Sequence, residues 1–172
     1  LPPGWVGNPD ATPTCALRDF QQNGACPPQT RIGVEVLHLK AGDALSLISA
    51  AVPVFNLPAP KGVVSRMGFQ FATVSVIMDV TVRPDGGYNL VTDLKELSSA
   101  LHIFGSDLTL WGVPADKNGA GPNSFYGGGT WGGPGGGKRI PYLTAPTSCD
   151  GPLIATLRAS SWQQPDRVST AT

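Results

Sequence analysis

Cysteines, histidines, carboxylates, a glycine-flanked lysine and a cluster of aromatic rings are the side chains here that could do chemistry. Cys15 and Cys26 lie eleven positions apart in a stretch rich in Pro, Asn and Gln. A metal site needs clustered Cys and His ligands, and neither His38 nor His102 is near in sequence. The spacing fits a disulfide better. Closing so short a loop stabilises by about 3 kcal/mol in the chain-entropy picture and belongs to an oxidising compartment. Cys149 is then left over, with a partner elsewhere, as a reactive thiol, or as a buried free cysteine. No metal and no cofactor are expected.

The remaining constellations are weaker. Gly135-Gly136-Gly137-Lys138 invites a phosphate-loop reading, but Lys138 is followed by Arg139 instead of Ser or Thr, and Ile140-Pro141 excludes the helix that must follow. Nucleophilic catalysis needs Ser or Cys beside a His and an orienting acid. His38 sits in a strand pattern and His102 in Leu101-His102-Ile103, so each reads as a satisfied structural residue. Glu35, Asp79 and Asp93 could fall on neighbouring strands and supply the carboxylates of a glycoside hydrolase, although acids on outer strand faces need no such role. Asp116, Asn118 and Asn123 could offer oxygens to calcium, yet turn formation explains them without a metal. No catalytic residue is assigned.

The aromatic cluster is the most suggestive feature. Residues 119–137 hold ten glycines, with Phe125, Tyr126 and Trp131 riding on a segment that cannot bury them all locally. They pack down and pin the loop, fill a pocket on a neighbouring subunit, or stack on a sugar, with Tyr142 as a further platform candidate. Trp111 and Trp162 are expected in or near the core.

Composition narrows the classes. Lys plus Arg equals Asp plus Glu at 12 each, and the only adjacent basic pair is Lys138-Arg139, which argues against nucleic acid. Charged residues are only 14% of 172, while Gly (22) and Pro (17) approach a quarter, which suits an all-β chain with many turns. No apolar run approaches the roughly 20 residues that span a bilayer, so membrane insertion is not expected. Beginning at Leu1-Pro2-Pro3, the sequence reads as a processed or trimmed piece.

The elements that must position these residues are strands. Residues 1–30 carry turn chemistry throughout, an irregular disulfide-tied segment in which Leu17 and Phe20 flank a short turn and anchor it. From Arg31 to Lys40 the sequence alternates, with Ile32, Val34 and Val36 on one face and Glu35 on the other. Ala50 to Leu57 is an apolar run in which Pro53 favours an edge. Val63 to Phe71 follows. Thr73 to Arg83 places Val74, Val76, Met78, Val80 and Val82 inward. Pro84-Asp85-Gly86-Gly87 makes a hairpin turn into Tyr88 to Leu94. Lys95 to Ile103 has the only helix-like spacing. Asp107 to Val113, Pro152 to Ser160 and Val168 to Ala171 complete the strands. This predicts an all-β fold over 31–172, an antiparallel β-sandwich or jelly-roll-like domain with a long Gly-rich loop at 117–138 and at most one short helix.

At Leu110-Trp111-Gly112-Val113-Pro114-Ala115-Asp116 the chain resembles a poorly characterised family of large secreted actinobacterial-type surface proteins, in which this domain precedes Ig-like repeats. Further matching segments are Leu1-Pro2-Pro3-Gly4, Gly7-Asn8-Pro9, Ala11-Thr12-Pro13 leading to Cys15, Val52-Pro53-Val54-Phe55-Asn56-Leu57, Met67-Gly68-Phe69, Pro146-Thr147-Ser148-Cys149 and Ser161-Trp162-Gln163. The resemblance spans nearly the whole chain. It implies export to the cell surface, a Cys15–Cys26 disulfide and a partner for Cys149 after Thr172; it implies no activity. Where that family has a Pro-Ser-His-Asp-like segment leading to an Arg, this chain has Lys117 to Lys138. The expectation is a structural or interaction module, in an appendage, matrix component or adhesin, whose partners are other copies or other domains of the same surface protein. Carbohydrate binding through Phe125, Tyr126 and Trp131 is the alternative, and a carboxylate-dependent glycoside hydrolase the next.

Overall fold

In the computed structural model, residues 2, 4–22, 25–41, 46–83, 89–94, 97–98, 102–119, 135, 137–147 and 151–172 are described. The fold is all-β, antiparallel and sandwich-like, built on one curled six-stranded sheet. Its strands are β2 (Arg31–Ala41), β3 (Ser46–Leu57), β4 (Ser65–Phe71), β5 (Val74–Val82), β6 (Leu90–Leu94) and β7 (Ile103–Leu110). They lie in the order β6-β5-β4-β3-β2-β7, a meander whose last strand returns to pair with the first. Two short ribbons accompany it: β1 (Val6–Gly7) with β8 (Leu143–Thr144), and β9 (Leu157–Ser161) with β10 (Gln164–Ala171). The one α-helix among the described residues is α1, Leu17–Gln21.

Alternation sorts the side chains onto two faces. The inner face gathers Leu37, Leu39, Ala50, Val52, Val54, Met67, Phe69, Val76, Met78 and Val80 into the main cluster, joined by Tyr142. The outer face carries Phe55 and Leu57, against which Cys15, Phe20 and Cys26 pack. The Phe20 ring lies edge-on to Phe55, with centroids 6.3 Å apart. Gly68 makes that approach feasible, since a Cβ there would sit 2.8 Å from Phe20 Cζ and 2.8 Å from the Val76 carbonyl.

The N-terminal segment serves both faces. Ala11 packs on the main cluster, while buried Asn56 donates from Nδ2 to the Pro9 and Thr12 carbonyls and its backbone carbonyl accepts from the Cys15 amide. The Nδ2 group thus has the partners that an interior donor requires, whereas the buried Oδ1 has no hydrogen-bond partner among the described residues.

Several sequence expectations change. Opposite Phe55 and Val54, β2 supplies Arg31 and Gly33, so Ile32 is an extra residue and the register shifts. Such a bulge flips the alternation that follows it. Ile32 remains fully buried, but Glu35, Leu37 and Leu39 then face inward, while Val34 and Val36 are only half-buried on the other side. Pro53 lies in β3, which is an interior strand of the sheet rather than its edge. β4 pairs with β3 only through Phe55–Leu57, so at Pro53 the only described neighbour is β2 and the absent N–H is locally tolerated. The hairpin between β5 and β6 forms, with Val82 opposite Leu90; its turn, 84–87, is outside the described residues. Strand β7 begins at Ile103, earlier than Asp107, and the helix-like spacing over Lys95 to Ile103 falls mostly outside the described residues.

Candidate functional site

Cys15 and Cys26 form a disulfide with Cα atoms 5.5 Å apart, buried against Phe20 and Phe55. Among the described residues no group of three or more His, Cys, Asp or Glu could hold a metal ion. Cys149, Asn123, Phe125, Tyr126 and Trp131 lie outside the described residues, so the expected aromatic contact site and the leftover thiol receive no geometry here.

The base of the glycine-rich insertion is well defined. Trp111 is buried and its amide donates to the Ile32 carbonyl, tying the distinctive Leu110–Asp116 segment to β2. A short 3-10 turn, Pro114–Asp116, follows. Arg139 then donates from Nε and Nη2 to the two carboxylate oxygens of Asp116, at 2.7 and 2.8 Å, the bidentate geometry that orients a guanidinium most firmly. The Gly135 amide donates to the Ala115 carbonyl at 2.8 Å. Asn118 is buried and donates to the Gln29 carbonyl. Thus, of the residues considered for calcium, Asp116 has both carboxylate oxygens engaged by Arg139 and Asn118 is tied to Gln29 through its Nδ2.

Two of the three acids come together and Glu35 stands apart. Asp79 and Asp93 stand opposite each other on the outer face of β5 and β6, with Arg66 gripping Asp79 bidentately at 2.7 and 2.9 Å. Hydrogen bonding to Asp79 raises the Arg66 pKa. Glu35 is three strands away from Asp79, about 14 Å at the usual strand spacing, and on the inner face. That separation exceeds the roughly 5–9.5 Å of glycosidase carboxyl pairs, whereas the cross-strand pair Asp79 and Asp93 is close enough to meet it, with Asp79 engaged by Arg66. Glu35 accepts a hydrogen bond from the Ser106 hydroxyl. Burial pushes its pKa up, Ser106 opposes this, and the nearby Asp107 charge adds to it.

His38 sits in a connection that sequence reasoning missed. Its Nδ1 is 2.9 Å from Ser49 Oγ on β3 and its Nε2 is 2.8 Å from Asp107 Oδ2 on β7. A neutral ring with Nε2–H donates to Asp107 and accepts from Ser49; a charged ring donates to both. The residue types are those of a Ser-His-Asp triad, but there Ser bonds Nε2 and Asp bonds Nδ1. Here the two ring nitrogens are exchanged, the array lies on an open sheet face with the Asp107 side chain 74% exposed, and β2 is paired in the ladders with β3 and β7. The array bonds the edge strand β7 to the two strands beside it. The signal that would have revealed it is the cross-strand register, which places Ser49 directly opposite His38.

Two aromatic expectations are corrected. Tyr142 is no platform: it is buried, its hydroxyl is 2.9 Å from Ser65 Oγ, and burial raises its pKa. Trp162, expected near the core, is 65% exposed beside the β9–β10 connection, with its indole N–H donating to the Leu97 carbonyl. Every residue of β9 and β10 is exposed. Leu153, Ile154, Leu157 and Val168 lie in the open around this hairpin.

Among the described residues no helix is long and apolar enough to cross a membrane. Comparison with family models, with curated proteins and with solved structures finds no match to this chain.

Proposed function

We propose that this chain is an extracellular interaction module, a domain of a bacterial surface protein that works by binding through its β9–β10 hairpin rather than by catalysis. One observation carries the reading. A two-stranded ribbon is marginal in water unless a third strand or a packed face supports it, yet β9 and β10 expose both faces, with Leu157, Trp162 and Val168 uncovered. Apolar groups gathered this way mark protein contact surfaces.

The disulfide supports placement in an oxidising, exported setting, as does the likeness of the Leu110–Asp116 segment to secreted actinobacterial-type surface proteins. The partners are other copies of this chain or adjoining domains of the same polypeptide.

The test is light scattering of the purified chain over a concentration series, alone and mixed with the adjoining domain. Association is expected, and Leu157→Ser with Trp162→Ser abolishes it while shifting the melting temperature by no more than a few degrees. A chain that stays monomeric and ignores its neighbour, or an association indifferent to the double substitution, refutes the reading.

A further inference from the structure

Strand β6 is the outermost strand of the six-stranded sheet. Beside it runs the segment leading into β9, and the two enclose a cavity of ≈ 520 Å³. Its walls are unusual in composition: residues 89–93 on one side and 154–158 on the other, each an unbroken run of five consecutive residues. A small-molecule pocket is normally lined by side chains from scattered positions. Walls made of consecutive residues mean that main chain, with its N–H and C=O groups, borders the space on both sides.

From the rise per residue, the strand spacing and the sheet thickness, one strand residue occupies on the order of 150 Å³. The cavity therefore holds about three to four residues of extended chain, comparable with the four residues 90–93 of β6 that border it. We propose that this groove accepts an extended peptide strand, which would join the six-stranded sheet to the β9–β10 ribbon through main-chain hydrogen bonds. The proposal rests on the reading of the chain as an interaction module and names the chemistry of one partner.

Two further features define that partner. Apolar side chains are exposed on the lining, with Ile154 at 59% and Leu157 at 68%, and Leu94, the next residue of β6 after the lining, is 44% exposed. A strand with apolar residues at every second position covers them, as alternation dictates. Arg83 and Arg158 both line the groove, and among the described residues neither has an ion-pair partner. Asp93 is the single acid among the described residues of the lining. The groove is thus net cationic, and the partner strand carries a carboxylate that lies between the two guanidinium groups.

Selection from a random octapeptide library displayed on phage tests this directly on the whole chain. Enriched peptides are expected to alternate apolar and polar residues and to contain Asp or Glu. A synthetic copy N-methylated at alternate amides, which removes the ladder hydrogen bonds, should bind at least tenfold more weakly. Reversing both charges, Arg83→Glu with Arg158→Glu, should shift the selected peptides from acidic to basic; both side chains are exposed, and an unchanged melting temperature confirms folding. No enrichment, peptides without alternation, binding that survives N-methylation, or equal binding of free glutamate overturns the proposal. Hairpin-dependent association that persists while the library yields nothing removes the groove and leaves the module reading standing.

Discussion

Ser106 on β7 donates its hydroxyl to Glu35 on β2, and both side chains belong to the inner face of the sheet. A carboxyl in that position prefers to be neutral, and its pKa is raised, chiefly by burial. The folded state therefore holds this proton at pH values where the unfolded chain has released it. By linkage, the stability that comes from the neutral acid is fully present below the ordinary glutamate range and is lost as pH rises through the elevated folded-state value. Glu35→Gln keeps the acceptor for Ser106 and removes the titration. Urea midpoints measured at pH 4 and pH 7 should differ less in the variant than in the parent, with the gain appearing at pH 7.

Opening the disulfide should be costly although Phe20 and Phe55 remain. Cys15→Ser with Cys26→Ser releases an eleven-residue separation and is expected to lower unfolding free energy by about 2–4 kcal/mol. Denaturant titration of the variant, and of the parent with a reductant, should agree. Parent stability indifferent to reductant would show the bond contributes nothing.

The contact between α1 and the sheet is tight enough to be sensitive to one methyl group. At Gly68 an added Cβ meets Phe20 Cζ, the Val76 carbonyl and, at 2.9 Å, Leu57 Cδ1. Two of these are side chains locked in a packed cluster and one is backbone. Gly68→Ala should cost about 1–3 kcal/mol, the range for overpacking a core, read as a lowered thermal midpoint.

In contrast, Ala72 offers a gain. It turns β4 into β5 with φ of 52° and is the one non-glycine at positive φ among the described residues. A left-handed conformation costs an L-residue roughly 1–2 kcal/mol, partly offset by the greater freedom glycine loses on folding. Ala72→Gly should raise stability by about 0.5–1 kcal/mol, and calorimetry showing a lower midpoint would contradict the turn geometry.

Much of this architecture is legible in the sequence because period-two alternation reports burial directly. Val74, Val76, Met78 and Val80 announce β5 and its inward face, and the neighbouring turn signals announce the hairpin into β6. What escaped depended on register. The bulge at Ile32 exchanged the faces of β2, turning Glu35 inward and placing His38 outward between Ser49 and Asp107; nothing in the local run 31–40 encodes that slip, because the extra residue is defined only against the partner strand. Trp162 misled for a related reason. A large ring flanked by strand-like segments reads as core, but here the flanking strands form a ribbon without a core of its own. The aromatic residues of the loop, which carried the strongest expectation of binding, lie outside the described residues, and the proposed binding surface rests on the exposed hairpin alone.

The paired hold of Asp116 on Arg139 and of Ala115 on Gly135 brings the two ends of the 117–138 stretch together. A span whose ends are fixed side by side puts few demands on what lies between them, since the closure entropy grows only slowly with length. The position is therefore a socket for exchange: epitopes, reporters or whole foreign peptides can be spliced in there while the sheet keeps its registry.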